Sequence, residues 1–288
     1  MPSHTERALR QTALDWLARG MPAMIVSVAE IKGSTPRETG TRMLVGASSV
    51  HGTVGGGHLE WQAIDLARHT LAEHAPEQSP QRPIGNWLKT YPLGPTLGQC
   101  CGGVVTLHFA PLSAAEMATW AMPKPMMHIE LHGAGHVGQA IVRLLRDLDC
   151  AVRWIDTRDA GEGAPGLPDH ELLAALPEHI TWLPTDSPTD EVFDAPPGAC
   201  HLVLTHRHDL DLRIIEAVLK RGDAFFAGLI GSQTKRAKFL HRLADKGLSP
   251  EQLATMVCPI GLPGLIGKDP SVIAISVVAQ LLQLQSQA

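Results

Sequence analysis

Apolar positions along the chain follow two rhythms. In the first part, AMIVSVAEI (residues 23–31) and RMLVG (residues 42–46) are short apolar runs suited to strands. Ahead of them an amphipathic helix is predicted to end near Arg19, stopped by Gly20 and Pro22. GTVGGGHLEWQAIDLARHTLAEH is a glycine loop feeding a second amphipathic helix, with Leu59, Ile64, Leu66 and Leu71 on its apolar side. GQCCGGVVTLHF reads as a loop running into a strand. These elements predict a small α+β unit.

From Met126 onward the pattern alternates. MMHIEL, CAVRWID, ITWL, CHLVLT, AFFAGLI and MVCPI are strand-like. GHVGQAIVRLLRDL, LDLRIIEAVLKR, SQTKRAKFLHRLADKG and PSVIAISVVAQLLQ are helical. Strands separated by helices of ten or more residues imply crossover units and a parallel sheet covered on both faces. The fold class is therefore α/β: a Rossmann-like, doubly wound parallel sheet preceded by a smaller α+β domain. Two stretches lack a period. Residues 75–95, rich in Pro and Gly, predict an irregular excursion; Ala110–Pro125, with three prolines, predicts a domain boundary. The expected division is 1–112, a linker at 113–125, and 126–288.

Composition narrows the function. The 288 residues carry a net charge of -5, no Lys/Arg-rich run and 4% aromatics, which argues against nucleic acid or an anionic membrane as partner. No apolar stretch is long enough to span a bilayer, and the first twenty residues lack the pattern of a secretion signal. Five cysteines without framework spacing suit a reducing, cytoplasmic setting.

The sharpest motif is Gly133-Ala134-Gly135-His136-Val137-Gly138, a G-x-G-x-x-G between a strand and a helix. Its glycines allow a tight turn, close approach of a phosphate to the backbone, and helix–strand packing. Asp156 closes the next strand about 20 residues on, where a carboxylate accepts from a ribose 2′-OH. His136 crowds the place where a pyrophosphate would lie. The competing reading is a Rossmann scaffold with no dinucleotide. His206, after CHLVLT, is either an acid/base or phosphate-contacting group or a plain surface histidine, and Asp209 suits a helix cap. Ser232 either caps the next helix or offers N–H groups to an anion, with Lys235 and Arg236 placed against the helix dipole. Gly-rich turns around Cys258 and Gly264 add to one sheet edge and suggest a sizeable ligand. In the first domain, Gln99-Cys100-Cys101 between glycines offers thiols as metal ligands or sulfur carriers, against the alternative of small core residues. Gly55-Gly56-Gly57 is a possible anion nest or a mere turn, and Arg37 is a natural phosphate fork.

GSTPRETGTRMLV, GTVGGGHLE, LGQCCGGVV, HGAGHVGQA, THRHDLDL, GLIGSQTKRAKFLHRL and CPIGLPGLIGKDPSVIAIS, in this order over nearly the whole chain, resemble the XdhC family of xanthine dehydrogenase accessory proteins. The resemblance implies a homodimeric cytoplasmic chaperone that binds molybdenum cofactor (molybdopterin). Such a chaperone supports its sulfuration by a cysteine desulfurase and passes it to apo xanthine dehydrogenase, with no independent turnover. It places Gln99, Cys100 and Cys101 at the molybdenum end. The alternatives are an NAD(P)-dependent oxidoreductase with His206 as acid/base, and a scaffold that docks desulfurase and dehydrogenase without cofactor.

Overall fold

The computed structural model describes residues 6–74, 84–93, 102–121, 124–159, 166–265 and 267–287. The chain divides into two compact units, Met1–Pro123 and Lys124–Ala288.

The first unit runs α1 (Glu6–Ala18), β1 (Ala23–Lys32), β2 (Arg42–Gly46), β3 (Val50–Gly52), α2 (Gly57–Glu73), β4 (Trp87–Pro92), β5 (Val104–Pro111) and α3 (Ala114–Thr119). Its five strands form an antiparallel sheet in the order β3-β2-β1-β5-β4. The two-residue period of a strand sorts the core. Met24, Val26 and Val28 of β1 and Met43 and Val45 of β2 pack with Leu59, Ala63 and Ala67 of α2. The intervening Ala23, Ile25 and Leu44 pack instead with Leu9, Ala13 and Trp16 of α1 and with Met117 and Trp120. Both faces are thus covered, which is why β1 reads as a nearly continuous apolar run.

Two expectations are corrected here. Residues 87–92, inside the segment read as irregular, form edge strand β4, whose pairing with β5 fixes it although only Tyr91 of its residues is buried. Residues 113–120, read as linker, are a helix of the first unit: Ser113 caps α3 by accepting from Glu116 N, and Met117 and Trp120 enter the core.

The second unit runs β6 (His128–His132), α4 (His136–Leu145), β7 (Ala151–Asp156), α5 (His170–Ala174), β8 (Ile180–Pro184), α6 (Glu191–Asp194), β9 (Cys200–Val203), α7 (His208–Arg221), β10 (Phe226–Leu229), α8 (Gln233–Asp245), α9 (Pro250–Ala254), β11 (Met256–Val257) and α10 (Pro270–Gln285). All its strand pairs are parallel, in the order β11-β10-β9-β6-β7-β8. Counted within the unit this is 6-5-4-1-2-3, the Rossmann order. Ile129, Leu131, Val152, Trp154, Cys200 and Leu202 pack on one face with α4 and α10. Val203, Ala227 and Leu229 pack on the other with α7 and α8. Strand order reverses between β6 and β9, so the crevice expected to hold a ligand lies beyond His132 and Val203.

Candidate functional site

In the second unit, β6 ends directly in the glycine loop. Gly133 has φ +127, and a Cβ there would sit 2.3 Å from Leu204 O across the switch point. Gly138 lies in the first turn of α4, and a Cβ there would sit 2.1 Å from Gly133 O. Loop and helix therefore meet backbone to backbone, and the loop is held to β7 by Gly133 N to Ile155 O at 2.7 Å and Trp154 Nε1 to Gly133 O at 3.1 Å. Gly135 differs. Its φ of −68° suits any residue, and a Cβ there would meet nothing within 4 Å. Neither conformation nor packing within the described residues requires glycine at 135. His136 is exposed, beside Gly166, and Gln139 ties that segment to the loop by donating to Ala134 O at 3.1 Å and Gly166 O at 3.0 Å.

Asp156 ends β7 as expected but is not a free acceptor. Its Oδ2 accepts from Ala134 N at 2.7 Å and from the Arg158 guanidinium at 2.9 Å; its Oδ1 accepts from Arg158 N at 3.0 Å and Nε at 2.9 Å. These bonds from the Arg158 side chain and the Ala134 and Arg158 backbone N–H groups outweigh burial and hold the carboxyl below its ordinary range. The residue assigned to a ribose is a strut joining β7 to the glycine loop.

The loops after β9 and β10 are tied together in a similar way. Asp211, fully buried on α7, accepts from Thr205 N at 3.0 Å, Thr205 Oγ1 at 2.7 Å and Lys235 Nζ at 2.6 Å. Lys235 Nζ also donates to Ile230 O at 2.8 Å. Lys235 is thus explained by an internal partner, not by an anionic ligand. Asp209 does not cap α7 but pairs with Arg207. Ser232 does cap α8, accepting from Lys235 N at 3.2 Å. His206, Ser232 and Gly231 line a cavity of about 290 Å³ beside Thr205. The turn after Cys258 has a packing reason of its own: a Cβ on Gly261 would sit 2.5 Å from Ser276 Oγ on α10.

In the first unit three glycine turns converge at one end of the sheet. A Cβ on Gly103 would lie 2.3 Å from Ser34 O, and one on Gly55 would lie 2.6 Å from Pro36 Cγ. A bulge between Val28 and Glu30 shifts the β1–β5 register just before this point. Leu93 N donates to Gly103 O at 2.8 Å. The segment between them carries Gln99, Cys100 and Cys101, which lie outside the described residues; its two ends are bonded to each other beside Ser34. Arg37 is exposed on the same turn, with no ion pair among the described residues. The Gly55–Gly57 nest, expected to receive a phosphate, is filled by the chain itself. Glu60, in the first turn of α2, accepts from Val54 N at 3.2 Å, from Gly56 N at 3.1 Å and from Thr53 Oγ1.

Residues 129–281 match the XdhC Rossmann domain and residues 16–80 match the XdhC and CoxI family. The chain belongs to the XdhC family. A crystal structure described as a xanthine dehydrogenase from Bacillus halodurans superimposes with a TM-score of 0.72 over 96% of both chains at 16% identity, which shows that the fold is shared. The uncharacterized protein YqeB of Escherichia coli (strain K12) is 28% identical over 271 residues, 93% of this chain. The chain spans 44% of that relative's length.

Against this XdhC frame, one cluster was not anticipated. Glu130 and His132 of β6, His201 of β9 and Arg153 of β7 project to the same sheet face, with Glu130 in register with both His201 and Arg153. Burial raises the Glu130 carboxyl to about 7 and lowers His201 to about 4; His132, also desolvated, falls well below its ordinary value. Alternation of Glu130 and His132 with Ile129 and Leu131 in a strand buried on both faces is the signal that could have found it. The other XdhC cysteines in view, Cys150, Cys200 and Cys258, are free and buried. Burial pushes the Cys200 thiol to about 12, far from the thiolate that sulfur chemistry needs. Among the described residues no three His, Cys, Asp or Glu side chains are grouped to hold a metal, and no helix is long and apolar enough to cross a membrane.

Proposed function

We propose that this chain is an accessory factor for a xanthine dehydrogenase. In this reading it holds molybdenum cofactor, supports its sulfuration by a cysteine desulfurase as a homodimer, and hands it to the apoenzyme. One observation supports this most: the base of the Cys100–Cys101 segment is closed by the Leu93–Gly103 hydrogen bond against the Ser34–Arg37 turn. The two described ends of the segment that carries the thiols thus lie on the turn that bears Arg37, whose guanidinium has no ion pair among the described residues.

The residues fit the cofactor in part. Arg37 suits its phosphate, and Gly102, where a Cβ would meet nothing within 4 Å, leaves room for a flat ring. The Gly55–Gly57 nest does not fit, since Glu60 fills it. The metal contact falls to Cys100 or Cys101, the thiols left once the buried three are set aside. When bound, the cofactor supplies the molybdenum and dithiolene chemistry; the chain's part is to bind, orient and shield it.

The test is cofactor retention, read as pterin fluorescence and molybdenum content of the purified protein. Arg37→Ala is expected to weaken retention several-fold, and the double variant Cys100→Ala/Cys101→Ala to abolish it. Normal content in the double variant would sink the thiol assignment.

In the same reading the glycine loop of the second unit is a nucleotide-binding cleft. The open face of Gly135 supports it, because a residue without a Cβ there leaves room for a phosphate to approach the backbone.

A further inference from the structure

The nucleotide cleft has an asymmetry that selects among its ligands. In a Rossmann unit the end of the second strand meets the adenosine ribose: a free carboxylate there accepts from the 2′-OH, whereas an arginine receives a 2′-phosphate. Here that strand is β7, and its end carries both residue types, Asp156 and Arg158.

Only one of them can face a ligand. Asp156 is 4% exposed and its two oxygens take four donated hydrogen bonds. A ribose hydroxyl would have to displace the Ala134 N–H or the guanidinium to reach it, and the displaced donor would lose a charge-assisted bond. Arg158 has a side chain 30% exposed, and among the described residues its Nη1 makes no hydrogen bond. Asp156 holds the guanidinium through Nε and Nη2, which fixes the plane and leaves the remaining N–H groups directed away from the carboxylate. A planar donor fork of this kind matches a phosphate and cannot accept from a hydroxyl.

We infer that the cleft takes an adenosine dinucleotide phosphorylated at the ribose 2′ position, with Arg158 as the specificity-determining residue and Asp156 as its positioning partner. This rests on reading the glycine loop as a nucleotide site. The pyrophosphate lies over Gly135, at the start of α4, and the 2′-phosphate on Arg158.

Calorimetric titration of the full chain with NADP⁺ and NAD⁺ at low salt tests both levels. NADP⁺ is expected to bind at least about tenfold more tightly, the scale of one charge-assisted contact. Arg158→Gln is expected to weaken NADP⁺ alone and shrink the gap to about threefold or less. Gly135→Val, which places a side chain where the structure is open, is expected to remove both ligands without lowering thermal stability. Equal or tighter binding of NAD⁺ to the unmodified chain overturns the 2′-phosphate assignment and leaves the nucleotide site standing. Binding of neither overturns both. The comparison of the two ligands on the unmodified chain decides even if Arg158→Gln fails to fold.

Discussion

Two glycine loops that look alike in sequence, Gly55–Gly57 before α2 and Gly133–Gly138 before α4, have opposite fates. In the first, the N–H groups of Val54 and Gly56 point at Glu60, four residues beyond Gly56 and within reach of the turn that precedes its own helix. The nest carries its anion with it. In the second, no acid follows on the first turn of α4, one loop N–H goes to Asp156 on a neighbouring strand, and Gly135 faces open space. A glycine loop opening a helix therefore offers an anion site only when the first turn supplies no carboxylate. Position, and not glycine content, separates a turn from a cradle.

The contrast can be broken in several places. The largest expected effect comes from Gly138→Ala, which forces a Cβ to 2.1 Å from a backbone carbonyl with no flexible side chain to yield; a loss of about 4 kcal/mol in urea unfolding is expected. Next is Lys235→Met, which leaves Asp211 buried without its cation and should cost about 3 kcal/mol. Restoring most of that loss with Asp211→Asn in the same chain would show that the pair, and not packing, carries the effect. Glu60→Ala should cost about 2 kcal/mol, the worth of hydrogen bonds to a charged group. It should also convert the closed nest into an open one. Added inorganic phosphate would then raise the melting temperature of the variant but not of the parent; no difference between them would remove Glu60 from its assigned role. Smallest is Gly135→Ala, expected to change stability by less than about 0.5 kcal/mol while weakening nucleotide binding. A large loss of stability there would mean that Gly135 has a structural duty after all.

Much of the fold is readable from periodicity. The strands at 23–31 and 42–46 and the alternation after Met126 are visible because both sheets bury two faces and demand long apolar runs. Strand β4 is not, since an edge strand with one buried side chain leaves its pattern to hydrogen bonds with β5. Helix α3 is hidden by the prolines around it. At the sites, the glycines and Ser232 are legible because conformation and capping restrict residue type locally. Arg158 and Asp211 act through partners in other loops or two residues away, and no spacing rule marks them. An acid at position 211 between Leu210 and Leu212, on the buried face of an amphipathic helix, was the available hint. The role of Lys235 is hidden for the same reason: its partner lies 24 residues upstream.

The clasp around Trp120 has a bearing on how the protein can be taken apart. Glu6 of α1 accepts from Trp120 Nε1 at 2.7 Å and pairs with Arg42 at 2.5 Å, Arg10 Nε donates to Trp120 O at 3.1 Å, and the Arg42 guanidinium lies 5.0 Å from the indole centre. Helices from opposite ends of the first unit are latched to its sheet by one carboxylate and one indole, all within residues 6–120. A gene fragment ending after Ala121 keeps every component of that latch, whereas one ending at residue 112, where a linker would be drawn from sequence, discards Trp120 and leaves α1 only its packing on the sheet and the Glu6–Arg42 pair. The place of the cut therefore sets how much of this unit's own bonding a fragment of it retains.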